Sequence, residues 1–184
     1  MSAHAWDEFE QRLASEDSWH ADSQPLAWPL PDGLAQRLAE RNTAALATVA
    51  ALEERRADTT DDDSPVMQEL LRLDARLTAL IDMVNRIALP ADALPPRQSL
   101  RFNAIGAVLP AALVPAGEAL LLRLRFDVCP SAPLELPARI ERRFDDGRAF
   151  VAFVALGDGV AASLERLVFR HHRRKVAGAR QGVA

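Results

Sequence analysis

The side chains that most often carry out catalysis are few and scattered in this chain. His4 and His20 lie near its beginning, His171 and His172 lie near its end, and Cys129 is the single cysteine. Adjacent residues on a helix point in different directions, so the last two histidines cannot hold one metal ion together. No glycine-rich phosphate loop and no metal-ligand spacing is found. We therefore expect no catalytic residues, no metal site and no cofactor, and a protein that is not an enzyme.

One stretch has the form of a binding turn. QSLRFNAIGAVLP, residues 98–110, predicts two short apolar segments joined by a turn at Asn103–Gly106. Arg97 and Arg101 precede this turn, and arginine can fork onto phosphates and stack on flat rings. The question is whether this turn still has the residues to bind a ligand.

Composition and charge divide the chain in two. Residues 1–94 hold 8 basic and 18 acidic side chains, whereas residues 95–184 hold 14 basic and 8 acidic ones. The proline-rich segment near residue 95 marks the boundary. No apolar run is long enough for a membrane span, the acidic start does not resemble a secretory signal, and a single cysteine excludes an internal disulfide. These features predict a cytoplasmic protein.

The first 32 residues predict an N-terminal helix followed by an extended strap. Apolar residues at helical spacing, from Trp6 to Leu13, indicate a helix within residues 3–20. The prolines of residues 25–31 exclude a long helix there, and Trp28 is the expected anchor of that strap. The sequence leaves open whether residues 25–31 add a strand to a sheet.

Residues 33–89 predict two long helices with heptad spacing, the second starting at the Ser64 N-cap and Pro65. We expect both to serve oligomerisation, with more than two helices meeting, because leucine at position a disfavours a simple dimer. The alternative is that the apolar stripe packs on the globular domain. Asn42 either fixes register through a paired amide or is solvated. The predicted oligomerisation residues are Leu38, Asn42, Val49 and Leu52 in the first helix and Val66, Leu70, Leu73, Leu77, Leu80, Val84 and Ile87 in the second.

From residue 95 onward the pattern changes to alternation. EALLLRLRF predicts a half-buried strand, and LELPARIERRF and RAFVAFVAL predict a hairpin around Asp145–Gly147. A terminal amphipathic helix closes this domain over residues 95–177, and residues 178–184 are expected to be a disordered tail. The fold class is therefore α+β, a small antiparallel barrel with a C-terminal helix plus a bundle of two long helices.

The second half of the chain resembles the PilZ domain, a small bacterial barrel best known as a cyclic di-GMP receptor. The resemblance rests on the order of strands, a turn ending in glycine and a terminal helix reading LERLVFRHHRR. The resemblance covers about residues 97–176. It implies two ligand motifs, an upstream Arg-x-x-x-Arg and a downstream Asp/Asn-x-Ser-x-x-Gly, in which glycine lets the turn approach a guanine edge.

The sequence departs from both motifs. The second aligns with residues 101–106, where Gly106 is kept, but Arg101 replaces the acid, Asn103 replaces the serine and Ile105 adds bulk. Arg97 and Arg101 match the first motif by letters, yet they run directly into the turn. The turn is therefore predicted to keep the scaffold of a ligand site without its chemistry.

We thus expect an adaptor that acts through protein–protein interactions, with a homotetramer favoured over a dimer and an unknown bacterial protein as partner. By family analogy that partner belongs to type IV pilus assembly, motility or virulence signalling. The first alternative is a cyclic di-GMP effector with a nonstandard site built from Arg97, Arg101 and Asn103. The second is nucleic-acid binding through the basic C-terminal helix, although a charge cluster is more often a solvated face. Membrane insertion is not expected.

Overall fold

The structure is a computed structural model that describes residues 2–55 and 64–181. Its main elements are α1 (Ser2–Gln11), β1 (Ser15–Pro25), α2 (Asp32–Arg55), α3 (Pro65–Ala88), β2 (Arg97–Phe102), β3 (Gly106–Pro110), β4 (Ala119–Arg125), β5 (Leu134–Arg143), β6 (Arg148–Phe153) and α4 (Asp158–Gln181). Short 3-10 turns follow α3 and β3 at Ala91–Ala93 and Ala111–Leu113.

Within the described residues, six antiparallel strands form a closed barrel in the order β1-β2-β3-β6-β5-β4. β1 closes it by pairing with two neighbours: Ser15–His20 pair with β2, and His20–Pro25 pair with β4. Leucines of β4 and β5 fill the interior, where Leu122 and Leu136 are fully buried. The predicted α+β class, with a small antiparallel barrel, two long helices and a C-terminal helix, is confirmed.

The strand signals after residue 95 are also confirmed. β4 lies within EALLLRLRF, and β5 and β6 form the predicted hairpin. The amide of Phe144 donates to Arg148 O at 2.9 Å across the turn. Gly147 has φ +78° there, a left-handed conformation that glycine adopts without strain.

The short helix expected within residues 3–20 is found at the start of that range, and Leu13 lies beyond its end. α1 ends at Gln11, and residues 15–25 form the strand β1. Trp19 and Ala21 are the two apolar side chains of β1 that are buried in the core. Such a polar strand carries almost no apolar alternation, so backbone pairing with β2 and β4 determines its conformation.

Residues 26–31 do not extend the barrel. β1 ends at Pro25, and beyond it the amide of Leu26 donates to Ala119 O at 3.1 Å. Trp28 is 40% exposed and lies under the Arg139 guanidinium, 5.4 Å from ring centroid to Cζ. It is therefore a surface side chain rather than the predicted anchor of the strap.

The heptad-like stripe of α2 is used inside the chain, which corrects its assignment to oligomerisation. Leu38 and Val49 are buried, Leu52 is half-buried, and α2 packs on β5 and α4. The Asn42 amide donates to Glu135 O and accepts from Glu135 N, both at 2.8 Å. Asn42 is thus paired, but with the backbone of β5 rather than with another helix. A 4-3 spacing defines an apolar stripe and does not specify what covers it.

α3 has the opposite environment. The Ser64 side chain accepts from the amide of Met67 at 3.2 Å, which confirms the predicted N-cap with proline in the first turn. Near its other end Asn85 is buried against the loop after β4, where Ser131 Oγ donates to Asn85 Oδ1 at 2.6 Å. All seven predicted stripe residues are exposed, with fractions between 43% and 75%. We call these residues, Val66, Leu70, Leu73, Leu77, Leu80, Val84 and Ile87, the α3 stripe.

The chain ends differ from the expectation as well. α4 continues to Gln181, so residues 178–181 are helical rather than a disordered tail. Residues 182–184 and the acidic segment 57–63, predicted to break the helix, lie outside the described residues. In the described ranges, no helix combines the length and the apolar character that crossing a bilayer demands.

Asn42→Ala is expected to destabilise the fold by about 1–3 kcal/mol, because it leaves the buried backbone amide and carbonyl of Glu135 without these partners. Urea unfolding followed by circular dichroism measures this change. Thr43→Ala, at the adjacent exposed position, is the control and should change stability by less than about 0.5 kcal/mol. A variant that alters the assembly mass but not the unfolding free energy would contradict the assignment of Asn42 to the monomer core.

Candidate functional site

The turn between β2 and β3, which we call the Asn103 turn, is held by its own polar groups. The amide of Asn103 donates to Gly106 O at 3.1 Å, and Asn103 Oδ1 accepts from the amide of Ile105 at 2.8 Å. Asparagine commonly stabilises a tight turn in this way. Asn103 is buried, and its Nδ2 donates to Phe9 O at 3.0 Å. Its side chain is therefore fully engaged within the protein.

Gly106 is required by close packing. A Cβ atom at this position would collide with the carbonyl oxygen of Val151 and would lie 2.8 Å from Phe150 Cε2. The neighbouring strand β6 thus approaches the backbone of β3 too closely for any side chain. The glycine retained in the sequence serves the packing of this barrel, with or without a ligand.

α1 lies over the turn and covers it. Phe9 is fully buried; its ring stacks with Trp6 at 5.8 Å between centroids and contacts Phe150 in a tilted arrangement at 5.1 Å. Trp6 also contacts Phe144 at 5.1 Å. These rings form a second apolar cluster that attaches α1 to β3 and β6. A ligand reaching the turn from this side would have to displace α1.

Arg101 is neutralised by the same helix. Its Nη1 donates to Glu10 Oε1 at 2.6 Å, and its Cζ lies 5.0 Å from the centroid of the Phe9 ring. Arginine can bind a nucleotide through an ion pair with a phosphate and a contact with a ring. The Arg101 guanidinium makes both kinds of contact with α1 instead.

Arg97 lies at the opposite end of β2 and is also paired. Its Nη2 donates to Asp127 Oδ1 at 2.6 Å and its Nη1 to Ser18 O at 2.7 Å. The hydrogen bond to Asp127 raises the pKa of Arg97 above its usual value. The structure thus brings Arg101, Asn103 and Gly106 together under α1 and keeps Arg97 apart from them.

The covering residues were missed in the sequence because they belong to another element. Glu10 and Phe9 are more than 90 positions away from the residues that they contact. The apolar spacing of Trp6 and Phe9 predicted a helix but gave no indication of the surface beneath it.

The family model described as "Atypical PilZ domain, cyclic di-GMP receptor" matches residues 45–181, which is most of the chain. The chain belongs to the atypical PilZ domain family. The match includes β2 to β6 and α4, and it begins after α1 and β1.

A solved structure supports the fold. A pathogenic protein from Xanthomonas campestris, described as a new tetrameric PilZ domain self-assembled via an unusual helical bundle, is 24% identical to this chain with a TM-score of 0.69. The alignment covers 95% of this chain and 97% of that protein. No curated protein matches the chain at a significant level.

This PilZ domain has a second polar cluster, which we call the Glu53 cluster, where α2, α4 and β1 meet. His171 Nε2 donates to Glu53 Oε1 at 3.0 Å, and His171 Nδ1 lies 3.1 Å from Ser15 Oγ. Arg170 and Arg174 approach the same carboxylate at 3.4 and 3.2 Å. Within the described ranges, no three His, Cys, Asp or Glu side chains gather as metal ligands would.

The electrostatics of the Glu53 cluster favour the charged carboxylate. Burial by itself opposes ionisation of Glu53, but the hydrogen bond from His171 and the positive charges of His171, Arg174 and Arg170 outweigh it. The pKa of Glu53 therefore lies below its ordinary value. With all its bonds made inside the chain, this cluster connects three elements of the fold.

Glu53→Gln is expected to cost about 1–3 kcal/mol of stability at pH 7, because it removes the charge that His171 and the arginines surround. Because the pKa of Glu53 is lowered in the folded state, its charged carboxylate stabilises the fold at every pH above the ordinary glutamate pKa. This stabilisation is lost as the pH falls through the lowered pKa. The difference between wild type and variant in urea unfolding should therefore shrink between about pH 5 and about pH 3 and be largest at pH 7. Glu40→Gln, at an exposed position of α2, is the control. An unchanged difference between pH 7 and about pH 3 would contradict this role.

Proposed function

We propose that this chain is a non-enzymatic, self-assembling adaptor of the bacterial cytoplasm that acts through protein–protein interactions and does not bind cyclic di-GMP by the usual PilZ motifs. The observation that carries the proposal is the α3 stripe, which is apolar, regular and exposed along the whole helix. Contiguous exposed apolar surface of this kind marks an interaction site.

The occupant of the α3 stripe is α3 of other copies. The stripe follows a 4-3 heptad spacing, and this spacing lets helices supercoil around one another. Asn85 and its contact with Ser131 hold the end of α3 at the barrel, so that the exposed helix is presented from a fixed base. Leucine at position a with leucine or isoleucine at position d favours more than two helices. The helical bundle of the Xanthomonas tetramer supports a homotetramer over a dimer.

The geometry of the Asn103 turn supports the second part of the proposal. Of the usual Asp/Asn-x-Ser-x-x-Gly residues only Gly106 is present, and it fits a backbone contact with β6. Arg101 is paired with Glu10, and Arg97 is paired with Asp127 on the other end of the strand. The family is described as a cyclic di-GMP receptor, so this chain would be a member whose receptor residues have become structural.

Self-assembly would provide the adaptor with avidity. Several linked domains can raise apparent affinity by about 10²–10⁴-fold without any new contact. By analogy with the family, and with a relative described as a pathogenic protein, we place the partners in type IV pilus assembly, motility or virulence signalling.

Leu73→Asp with Leu80→Asp is expected to convert the tetramer to monomers, because it buries charges in the apolar seam between helices. Light scattering coupled to size exclusion measures the mass. The double variant Ala75→Asp with Ala79→Asp adds the same charge outside the α3 stripe and should remain tetrameric. If the leucine variant keeps its mass, α3 is not the assembly interface.

Calorimetric titration of cyclic di-GMP into the full-length protein tests the ligand. We expect no saturable heat at micromolar concentrations, with the mass measured on the same sample. Saturating micromolar heat would instead establish a receptor. Arg97→Ala and Arg101→Ala would then show whether the nonstandard set that includes Asn103 is the site.

A further inference from the structure

A second exposed apolar region lies beside the Asn103 turn. A groove of about 780 Å³ runs between the end of α1 and the outer side of α4, and Ala104 of the turn forms part of its floor. Leu13 and Phe169 both line it and are 44% and 54% exposed. Ala162 and Val168 complete its apolar lining. We call it the Leu13–Phe169 groove.

The edge of this groove carries charges of both signs. Arg12 lies between Glu8 at 2.7 Å and Glu165 at 2.5 Å, so that part of the edge has two carboxylates for one guanidinium. Arg166 differs from Arg12. Its Nη2 donates to the neutral Ser163 hydroxyl at 2.8 Å. Among the described residues no carboxylate pairs with it.

Arg173 lies one turn of α4 beyond Phe169, outside the lining of the groove. It is exposed, and no acidic side chain of residues 2–55 and 64–181 forms an ion pair with it. Arg166 and Arg173 lie three positions before and four positions after Phe169, a spacing that places all three on one side of α4. The exposed aromatic ring is thus flanked by two uncompensated positive charges.

We infer that the Leu13–Phe169 groove binds an acidic segment of a partner protein, which inserts a bulky apolar side chain between Leu13 and Phe169 while its carboxylates reach Arg166 and Arg173. This inference rests on the proposed adaptor function and names its docking surface. The combination of an apolar pocket with a charged rim matches the usual arrangement of interface anchors.

Charge and shape favour an acidic protein segment over a second copy of this chain, a bilayer or a nucleic acid. α3 of a second copy is a poor fit, because it contains three acidic and three basic residues and its stripe is assigned to the bundle. A bilayer would bind a broad apolar face, whereas Leu13 and Phe169 are the only exposed large apolar side chains in the lining of this groove. Single-stranded nucleic acid would stack its bases on several aromatic rings, and Phe169 is the sole aromatic residue of the lining.

The proposed docking surface also includes part of the Asn103 turn. α1 covers one side of the turn, and Ala104 presents the other side to the groove. A tetramer would display four such grooves, so a weak individual contact would become a strong one through avidity.

The test is selection of random phage-displayed dodecapeptides on the immobilised full-length protein, followed by fluorescence anisotropy with the selected peptides. We expect peptides with a bulky apolar residue flanked by Asp or Glu. Their affinity should fall at least about tenfold for Phe169→Glu and for Arg166→Glu combined with Arg173→Glu. Phe169→Ala, a milder change, should weaken them in the same direction. Arg143→Glu makes the same type of charge change at an exposed residue outside the groove and should have no effect.

Failure to enrich any peptide, enrichment of basic peptides, or equal binding by wild type and Phe169→Glu would overturn the inference. Sedimentation with phosphatidylglycerol vesicles that is lost in Phe169→Glu would overturn it in favour of a lipid surface. Light scattering on every variant separates this inference from the assembly: groove variants should keep the wild-type mass. If the wild type is monomeric but binds peptides through the groove, the docking inference holds and the proposed assembly is wrong.

Discussion

β1 closes the barrel by hydrogen-bonding to β2 along its first half and to β4 along its second. Without it, β2 and β4 would be open edges with unpaired backbone groups. Other features follow from its position. α1 precedes β1 and therefore comes to lie on the Asn103 turn, and Ser15 at the start of β1 meets His171 in the Glu53 cluster. A strand with little apolar content thus determines where the N-terminal helix packs and how α4 is attached.

α2 and α3 show how similar sequence patterns acquire different uses. Both have apolar residues at heptad-like spacing, and both are 24 residues long. α2 lies against β5 and α4, where the buried amide of Asn42 matches the backbone of Glu135 in both its donor and acceptor groups. α3 has its buried contact at Asn85 and leaves its stripe uncovered. This division places α2 in the core of the monomer and leaves the α3 stripe exposed.

The Asn103 turn uses its residues inside the protein. Arg101 forms an ion pair with Glu10, Asn103 donates a hydrogen bond to Phe9 O, and Gly106 allows the close approach of β6. The same turn then forms the floor of an apolar groove beside α4.

The sequence by itself determined the features that depend on neighbouring residues. Alternation defined β4, β5 and β6, the glycine turn joined the last two, the Ser64 cap started α3, and the loss of the acid and serine from the ligand motif was evident from the letters alone. Tertiary structure decided what depends on distant partners: that residues 15–25 are a strand, that α2 is covered while α3 is not, and that Glu10 neutralises Arg101. The physical reason is that spacing along a chain fixes which side chains share a face. Only the folded arrangement fixes which surface, backbone group or opposite charge that face meets.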